Sequence, residues 1–237
     1  MEKKDFLECE KRWIFRVLIF VGGFYGAYCL TVRGGVFANA QTANLALLAV
    51  NLGAGNFRKA AYYLIPLSAY LLGTLASELL PKPLRRLRLM RWDTLLILVE
   101  IAAVTVVGFI PAQAPHQISQ VIISVLCAMQ YNTFRQAEAI PMSTVFCTDH
   151  LRQFGSSLGK WLRGGKNRIP MGEKTVAHGW MLVCFTIGAF SGAVLSTALG
   201  TRSIWITLIP LGIVFGDLLR ADLTKERERL DVTPRGH

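Results

Sequence analysis

Glu100 is the first residue in this sequence whose type and place suggest chemistry. It stands in Leu98-Val-Glu-Ile-Ala, inside a long apolar run. A carboxylate in hydrocarbon is costly when charged and unpaired, and intramembrane acids are functional by default. Burial disfavours the charged form, so the group can be carried protonated. That makes it a candidate for proton coupling or for substrate binding. The alternative is a structural hydrogen bond to a neighbouring helix.

A second set lies in Arg33-Gly-Gly-Val-Phe-Ala-Asn-Ala-Gln-Thr-Ala-Asn-Leu, between two apolar segments. Asn39, Gln41, Thr42 and Asn44 are candidate solute-binding groups. Polar side chains next to a membrane span are tolerated where they are buried in protein or line water. The four do not share one helical face, so some of them only cap the break. Asn39 and Thr42, three apart, are expected on the same side. Arg33, and Arg135 later in the chain, precede polar half-segments and are candidates to attract an anion beside a helix N-terminus. Snorkelling to the headgroups is the plainer account for each.

Other constellations are weaker. Ser143, Asp149 and His150 invite a hydrolase reading, but no G-x-S-x-G elbow precedes them, and an enzyme is not expected. Gly164-Gly165-Lys166-Asn167 lacks the spacing and the Ser/Thr of a P-loop. The five cysteines, Cys9, Cys29, Cys127, Cys147 and Cys184, form no CxxC pair, so neither a metal site nor a disulfide framework is expected. No cofactor is implied. Glu78, Asp217, His116 and His178 lie near span ends or links and are assigned no role.

The elements that must position these residues are membrane helices. The 237 residues are 52% hydrophobic and only 17% charged, with a mean hydropathy of +0.40; soluble domains carry about a quarter charged residues. The net charge of +11 comes from basic residues clustered just outside the apolar blocks. That pattern follows the positive-inside rule and speaks against nucleic acid as a partner. Membrane lipid is the implied partner, and a homo-oligomer is compatible with the sequence. The basic N-terminus resembles a signal peptide, but no A-x-A site follows the long apolar run. A retained first span is expected.

The apolar spans run from Trp13 to Val32, Ala60 to Leu80, Trp92 to Ile110, Gln117 to Phe134, Val176 to Leu199 and Ser203 to Leu219. Each is near the roughly 20 residues that cross hydrocarbon. Two half-segments, Val36–Asn51 and Pro141–Gly155, fall outside this set, and the second is too polar and too short to cross alone. The order repeats: span, half-segment, span, span. Small residues recur every four positions in Ala69, Gly73 and Ser77 and in Cys184, Gly188, Gly192 and Ser196, the pattern of close helix packing in lipid. Gly22/Gly26 and Gly212/Gly216 read as packing pairs in the same way.

Charge sets the orientation. If Val36–Asn51 dips in and returns, Lys82, Arg85, Arg86, Arg88 and Arg91 share a face with Lys3, Lys4, Lys11, Arg12 and Arg16. Arg152, Lys160, Arg163, Lys166, Arg168 and Lys174, and then Arg220, Lys225, Arg227 and Arg229, join that face. Arg58 and Lys59 fall opposite, a smaller violation. Three spans per half is odd, so the halves are inverted. The expected fold is an all-α polytopic membrane protein of about six transmembrane helices in two inverted three-helix repeats, each with a re-entrant or broken half-helix. Its parts are a cytoplasmic segment 1–12, repeats 13–111 and 112–220, and a cytoplasmic tail 221–237.

Gly22-Gly-Phe-Tyr-Gly-Ala-Tyr28, followed by the Arg33–Leu45 run, resembles the signature of the YoaK-like family, bacterial inner-membrane proteins grouped as domain of unknown function 1275. Gln130-Tyr-Asn-Thr-Phe-Arg135, leading to Pro141 and Thr148, is similar to that family's second motif. The chain departs from the pattern at Gly26, where an Asp is usual, and at Ala43, where a Gly is usual. A cation- or proton-binding role for that Asp is therefore in question here. The resemblance implies about six spans and a bacterial inner membrane, and no established activity.

The function expected from these features is transport of a small polar or anionic solute, with Glu100 as the proton-coupling group. The alternative is a non-transporting subunit or assembly factor that binds a partner. Transport requires a cavity beside Asn39 and a Glu100 that is not merely tied to one neighbouring helix.

Overall fold

The computed structural model describes residues 6–82, 90–164 and 168–235. Of the basic residues that set the orientation, Lys3, Lys4, Arg85, Arg86, Arg88 and Lys166 lie outside the described residues. The helices are α1 (Arg12–Val32), α2 (Gln41–Gly53), α3 (Phe57–Leu79), α4 (Trp92–Phe109), α5 (His116–Thr133), α6 (Thr148–Arg163), α7 (Arg168–Leu199) and α8 (Leu208–Leu223). A 3-10 stretch, Gly200–Thr207, joins α7 to α8. Four runs are long and apolar enough to cross a membrane: Arg12–Val32, Phe57–Leu79, Trp92–Phe109 and the combined run Arg168–Leu223.

Punctuation residues set the ends. Pro111 follows α4, since proline cannot continue a helix, and Pro115 precedes α5. Gly34 and Gly35 both take positive φ, 82° and 75°, and break the chain after α1. The helix of the first half-segment then starts at Gln41, later than the sequence pattern suggests. The helix of the second half-segment runs Thr148–Arg163, displaced from Pro141–Gly155. Its stretch of leucines beside arginines and lysine is amphipathic, whereas residues 136–141 form a small antiparallel hairpin in which Gln136 pairs with Pro141. Glu138 and Ala139 at its tip have φ of 46° and 68°, as a two-residue hairpin turn requires.

α5 is not among the four apolar runs because Ser119, Gln120, Ser124 and Gln130 lower its hydropathy. All four are buried. Its polar face is therefore turned into the protein.

Packing is paired. α1 lies against α7, and α3 against α5; α2 runs along α3 and α6 along α7; α4 meets α8. The small-residue ridges sit at the first two of these interfaces. A Cβ on Gly73 would come within 2.6 Å of the Val125 carbonyl of α5. One on Gly192 would come within 2.8 Å of the Phe24 carbonyl of α1, and one on Gly188 would overlap the Phe20 carbonyl. Gly22 and Gly26 also face close neighbours, the Thr144 carbonyl and the Asn39 side chain. Gly212 and Gly216 do not pack: a Cβ on either meets open space.

The ends of the bundle are tied separately. At one end, Arg33 joins the end of α1 to the end of α4. The Gln120 side chain of α5 there donates to the Arg33 carbonyl at 2.6 Å and contacts the Tyr62 hydroxyl of α3. At the other, the Glu8 amide donates to Glu226 at 2.7 Å, Lys225 pairs with Glu8, and the Arg91 amide donates to Asp222 at 3.0 Å. Trp92 donates to Thr133 at 2.9 Å at the same end.

Candidate functional site

The site is built on the middle of α1. Asn39 precedes α2 and is buried. Its Nδ2 donates to the Gly22 carbonyl at 3.2 Å and to the Val145 carbonyl at 3.1 Å. Residues 33–40 thus run back from the end of α1 to its middle. Val145 stands just before α6, so the starts of α2 and α6 touch there. Gln130 of α5 holds the second start from behind, donating to the Thr144 carbonyl at 3.1 Å and to Leu18 at 3.4 Å. Gly22 and Gly26 make this possible, since side chains there would occupy the space of Thr144 and Asn39.

Glu100 is fully buried at the same level of α1. The Tyr25 hydroxyl donates to its Oε1 at 2.9 Å. Oε2 is buried without a hydrogen-bond partner among the described residues. Tyr25 is next to Gly26, so the stretch of α1 from Gly22 to Gly26 touches both the Glu100 of α4 and the junction of the two half-segments.

The other sequence-predicted residues lie elsewhere. Asn44 is fully buried, but it closes the break on itself: its Oδ1 accepts from the Phe37 amide at 3.1 Å, and its Nδ2 donates to the Phe37 carbonyl at 2.8 Å. Gln41 donates to the Ala38 carbonyl at 3.0 Å. Thr42 is exposed and does not share a side with Asn39. The three-residue spacing argument fails because Asn39 precedes the helix.

Arg33 is fully buried and neither snorkels nor faces the junction. Its Nε donates to the Tyr28 hydroxyl at 2.9 Å, Nη1 to Pro111 at 3.2 Å, and Nη2 to Val107 at 3.2 Å and Ile110 at 2.8 Å. These carbonyls end α4, so a cation caps the negative pole of that helix. Sequence patterns could not pair residues so far apart. Arg135 is half-buried at the opposite end, pairing with Glu78 at 2.7 Å and bonding Asn132.

Ser143 and His150 do meet, but His150 Nε2 lies 2.8 Å from the Ser143 carbonyl. The Ser143 hydroxyl accepts from the Val145 and Phe146 amides at 3.3 and 3.4 Å. It is a turn cap. Missed by sequence reasoning was the partner of His150, which is His178 of α7. The short link between α6 and α7 forces an antiparallel pair, and residues at comparable distance from that link meet.

An open cavity of about 340 Å³ is lined by Tyr131, Asn132, Arg135, Pro141, Met142, Ser143 and Asp149. It reaches within two residues of Val145. At the other end an open cavity of about 750 Å³ is lined by Gly55, Asn56, Phe57, Arg58, Lys59, Tyr62 and Gln117. Neither reaches Asn39 or Glu100. Among the described residues no group of His, Cys, Asp or Glu is placed to hold a metal ion.

Long apolar helices around a buried polar centre define a multi-pass α-helical membrane protein. Residues 14–216 match the family described as "Protein of unknown function (DUF1275)", and the chain belongs to that family. No curated protein and no solved structure matches the chain.

Proposed function

We propose that the protein is a bacterial inner-membrane transporter or permease for a small polar or anionic solute, coupled to protons through Glu100. In this reading six helices cross, α2 and α6 are half-helices entering from opposite faces, and the two halves are inverted repeats. The observation that carries it is the contact of Asn39 with Val145 at the middle of α1. Two helix N-termini meeting near the midplane are the arrangement in which transporters hold anionic or polar groups. The exchanged packing, α1 on α7 and α3 on α5, supports the repeat. Arg58 and Lys59 at one cavity favour an anion, whereas at the other Arg135 is paired with Glu78 and Asp149 shares the wall. Arg33 is no longer part of the binding set, because its donors are taken by Tyr28 and by the carbonyls at the end of α4. Thr42 drops out as well.

The test is uptake into liposomes across a solute panel, with and without a pH gradient. Glu100→Gln keeps the Tyr25 hydrogen bond and fixes the charge at zero, so folded protein with pH-independent uptake is expected. Unchanged pH dependence removes Glu100 from the coupling. A second reading is a non-transporting subunit that binds a partner. The closed centre favours it: neither cavity reaches Asn39, whose donor directions are both filled, and Glu100 reaches only Tyr25. The transport reading therefore requires a second, open form in which the two half-helices part. No uptake of any solute by folded protein would put that reading first.

A further inference from the structure

We infer that His150 and His178 form a buried site that binds one proton per chain and ties it to the position of α6. Both rings are fully covered. His150 Nδ1 and His178 Nδ1 are 2.9 Å apart, and His150 Nε2 is 2.8 Å from the Ser143 carbonyl. The hydrogens follow from these contacts. A carbonyl only accepts, so His150 Nε2 carries a hydrogen, and in the neutral ring Nδ1 is then bare. His178 Nδ1 must donate to it. The bare nitrogen of the neutral pair is therefore His178 Nε2, which is buried with no hydrogen-bond partner among the described residues.

An incoming proton takes that lone pair. It breaks no hydrogen bond, and it turns the Nδ1–Nδ1 contact into a charge-assisted one, imidazolium to imidazole. A second proton has only His150 Nδ1 to bind. It would set two N–H groups against each other at 2.9 Å and place two cations side by side. The pair thus accepts one proton in place and opens on a second. The charged groups that reach it are Asp149 and Arg152 of α6, themselves paired at 2.6 Å, and Lys174 of α7. On α1, Arg16 lies over the Trp180 ring. Ser143 is two residues from Val145, so a change at the pair bears on the Asn39 junction directly.

The inference concerns proton binding and does not depend on transport. Nitrogen-15 labelling of the histidines, in the full chain in lipid nanodiscs, reads each ring nitrogen across a pH titration. The expected neutral spectrum has His178 as the Nδ1–H tautomer and His150 as the Nε2–H tautomer. Acidification should doubly protonate His178 while His150 Nδ1 stays bare, an uptake of one proton. His150→Gln can still donate to Ser143 and accept from His178. It should keep the His178 step while weakening proton affinity by about tenfold, since an amide oxygen is a weaker base than imidazole. His178 as the Nε2–H tautomer, both rings charging together, or no charging before unfolding would overturn the inference.

Discussion

The Asn39 side-chain amide donates to the Val145 carbonyl at 3.1 Å, joining the start of α2 to the start of α6. The same nitrogen donates to Gly22 in the middle of α1. One small side chain therefore fixes three segments from both halves of the chain. Asn39→Ala would leave the Val145 carbonyl without this donor, while the Gly22 carbonyl keeps its bond within α1, a loss of roughly 1–3 kcal/mol. Gly26→Ala should act on the same contact, because its Cβ would sit 2.8 Å from the Asn39 amide. The two changes together are expected to cost less than their sum, since both remove one interaction. Thermal or denaturant unfolding in detergent micelles measures this. Full additivity would mean that Gly26 is needed for something other than Asn39.

Arg33 presents a different kind of dependence. Its fork spans three carbonyls at the end of α4 and one hydroxyl. Lysine cannot reproduce that geometry. Arg33→Lys is expected to lower stability by on the order of 3 kcal/mol, as when a buried charged network loses its fit. At a temperature where the variant is folded, solute affinity should be unchanged. A variant with normal stability and weakened binding would return Arg33 to the binding site.

Much of the fold was legible because hydrocarbon constrains sequence strongly. The long helices could be read from apolar length, and α5 was marked as a helix despite its polar residues, though it is not among the four runs apolar enough to cross. The ridges at Gly73, Gly188 and Gly192 were legible because close backbone approach demands small residues. The same rule misled at Gly212 and Gly216, where small residues meet nothing within the chain. Asn39 stood out by its polar type and is buried at the junction, but the spacing that paired it with Thr42 does not hold. The role of Arg33 was hidden, because capping depends on where α4 ends in space. So was the histidine pair, which depends on how α6 folds back on α7. Sequence periodicity describes one helix at a time, and these features belong to pairs.

The tied N- and C-terminal segments give a pH dependence with a definite sign. Burial pushes the Glu8 carboxyl up, but its contacts with Lys11, at 2.6 Å, and Lys225 more than reverse this, and it is held below its ordinary 4.5. A carboxyl lowered in the folded state contributes stability above pH 4.5, lost as the pH falls through its folded value. Burial instead raises Glu226 above 4.5, so its contribution is present below that pH and fades as the pH rises. Glu8→Gln should therefore be less stable than the parent chain at neutral pH. The gap should narrow on acidification below 4.5. Melting curves at the two pH values measure it, and a gap that widens on acidification would show that Glu8 is not held by the two lysines.

The position of Gly55 decides whether α2 dips or crosses. Gly55 follows α2 and lines a cavity with Tyr62 and Gln117. Tyr62 contacts Gln120, and Gln120 donates to Arg33, which caps the end of α4. The link containing Ala114 follows that same end. Gly55 and Ala114 therefore belong to one end of the bundle. Thr233 belongs to the other, where it shares a cavity with Arg91 and Trp92. Single cysteines at these three positions, in a chain with the native cysteines replaced, can be labelled from either side of intact cells or spheroplasts. Gly55 and Ala114 should label from outside and Thr233 from the cytoplasm, as the basic clusters require. Labelling of Gly55 and Ala114 from opposite sides would mean that α2 crosses. That would remove the half-helix and the inverted repeat with it. Reversal of all three positions would leave the fold intact and overturn only the orientation.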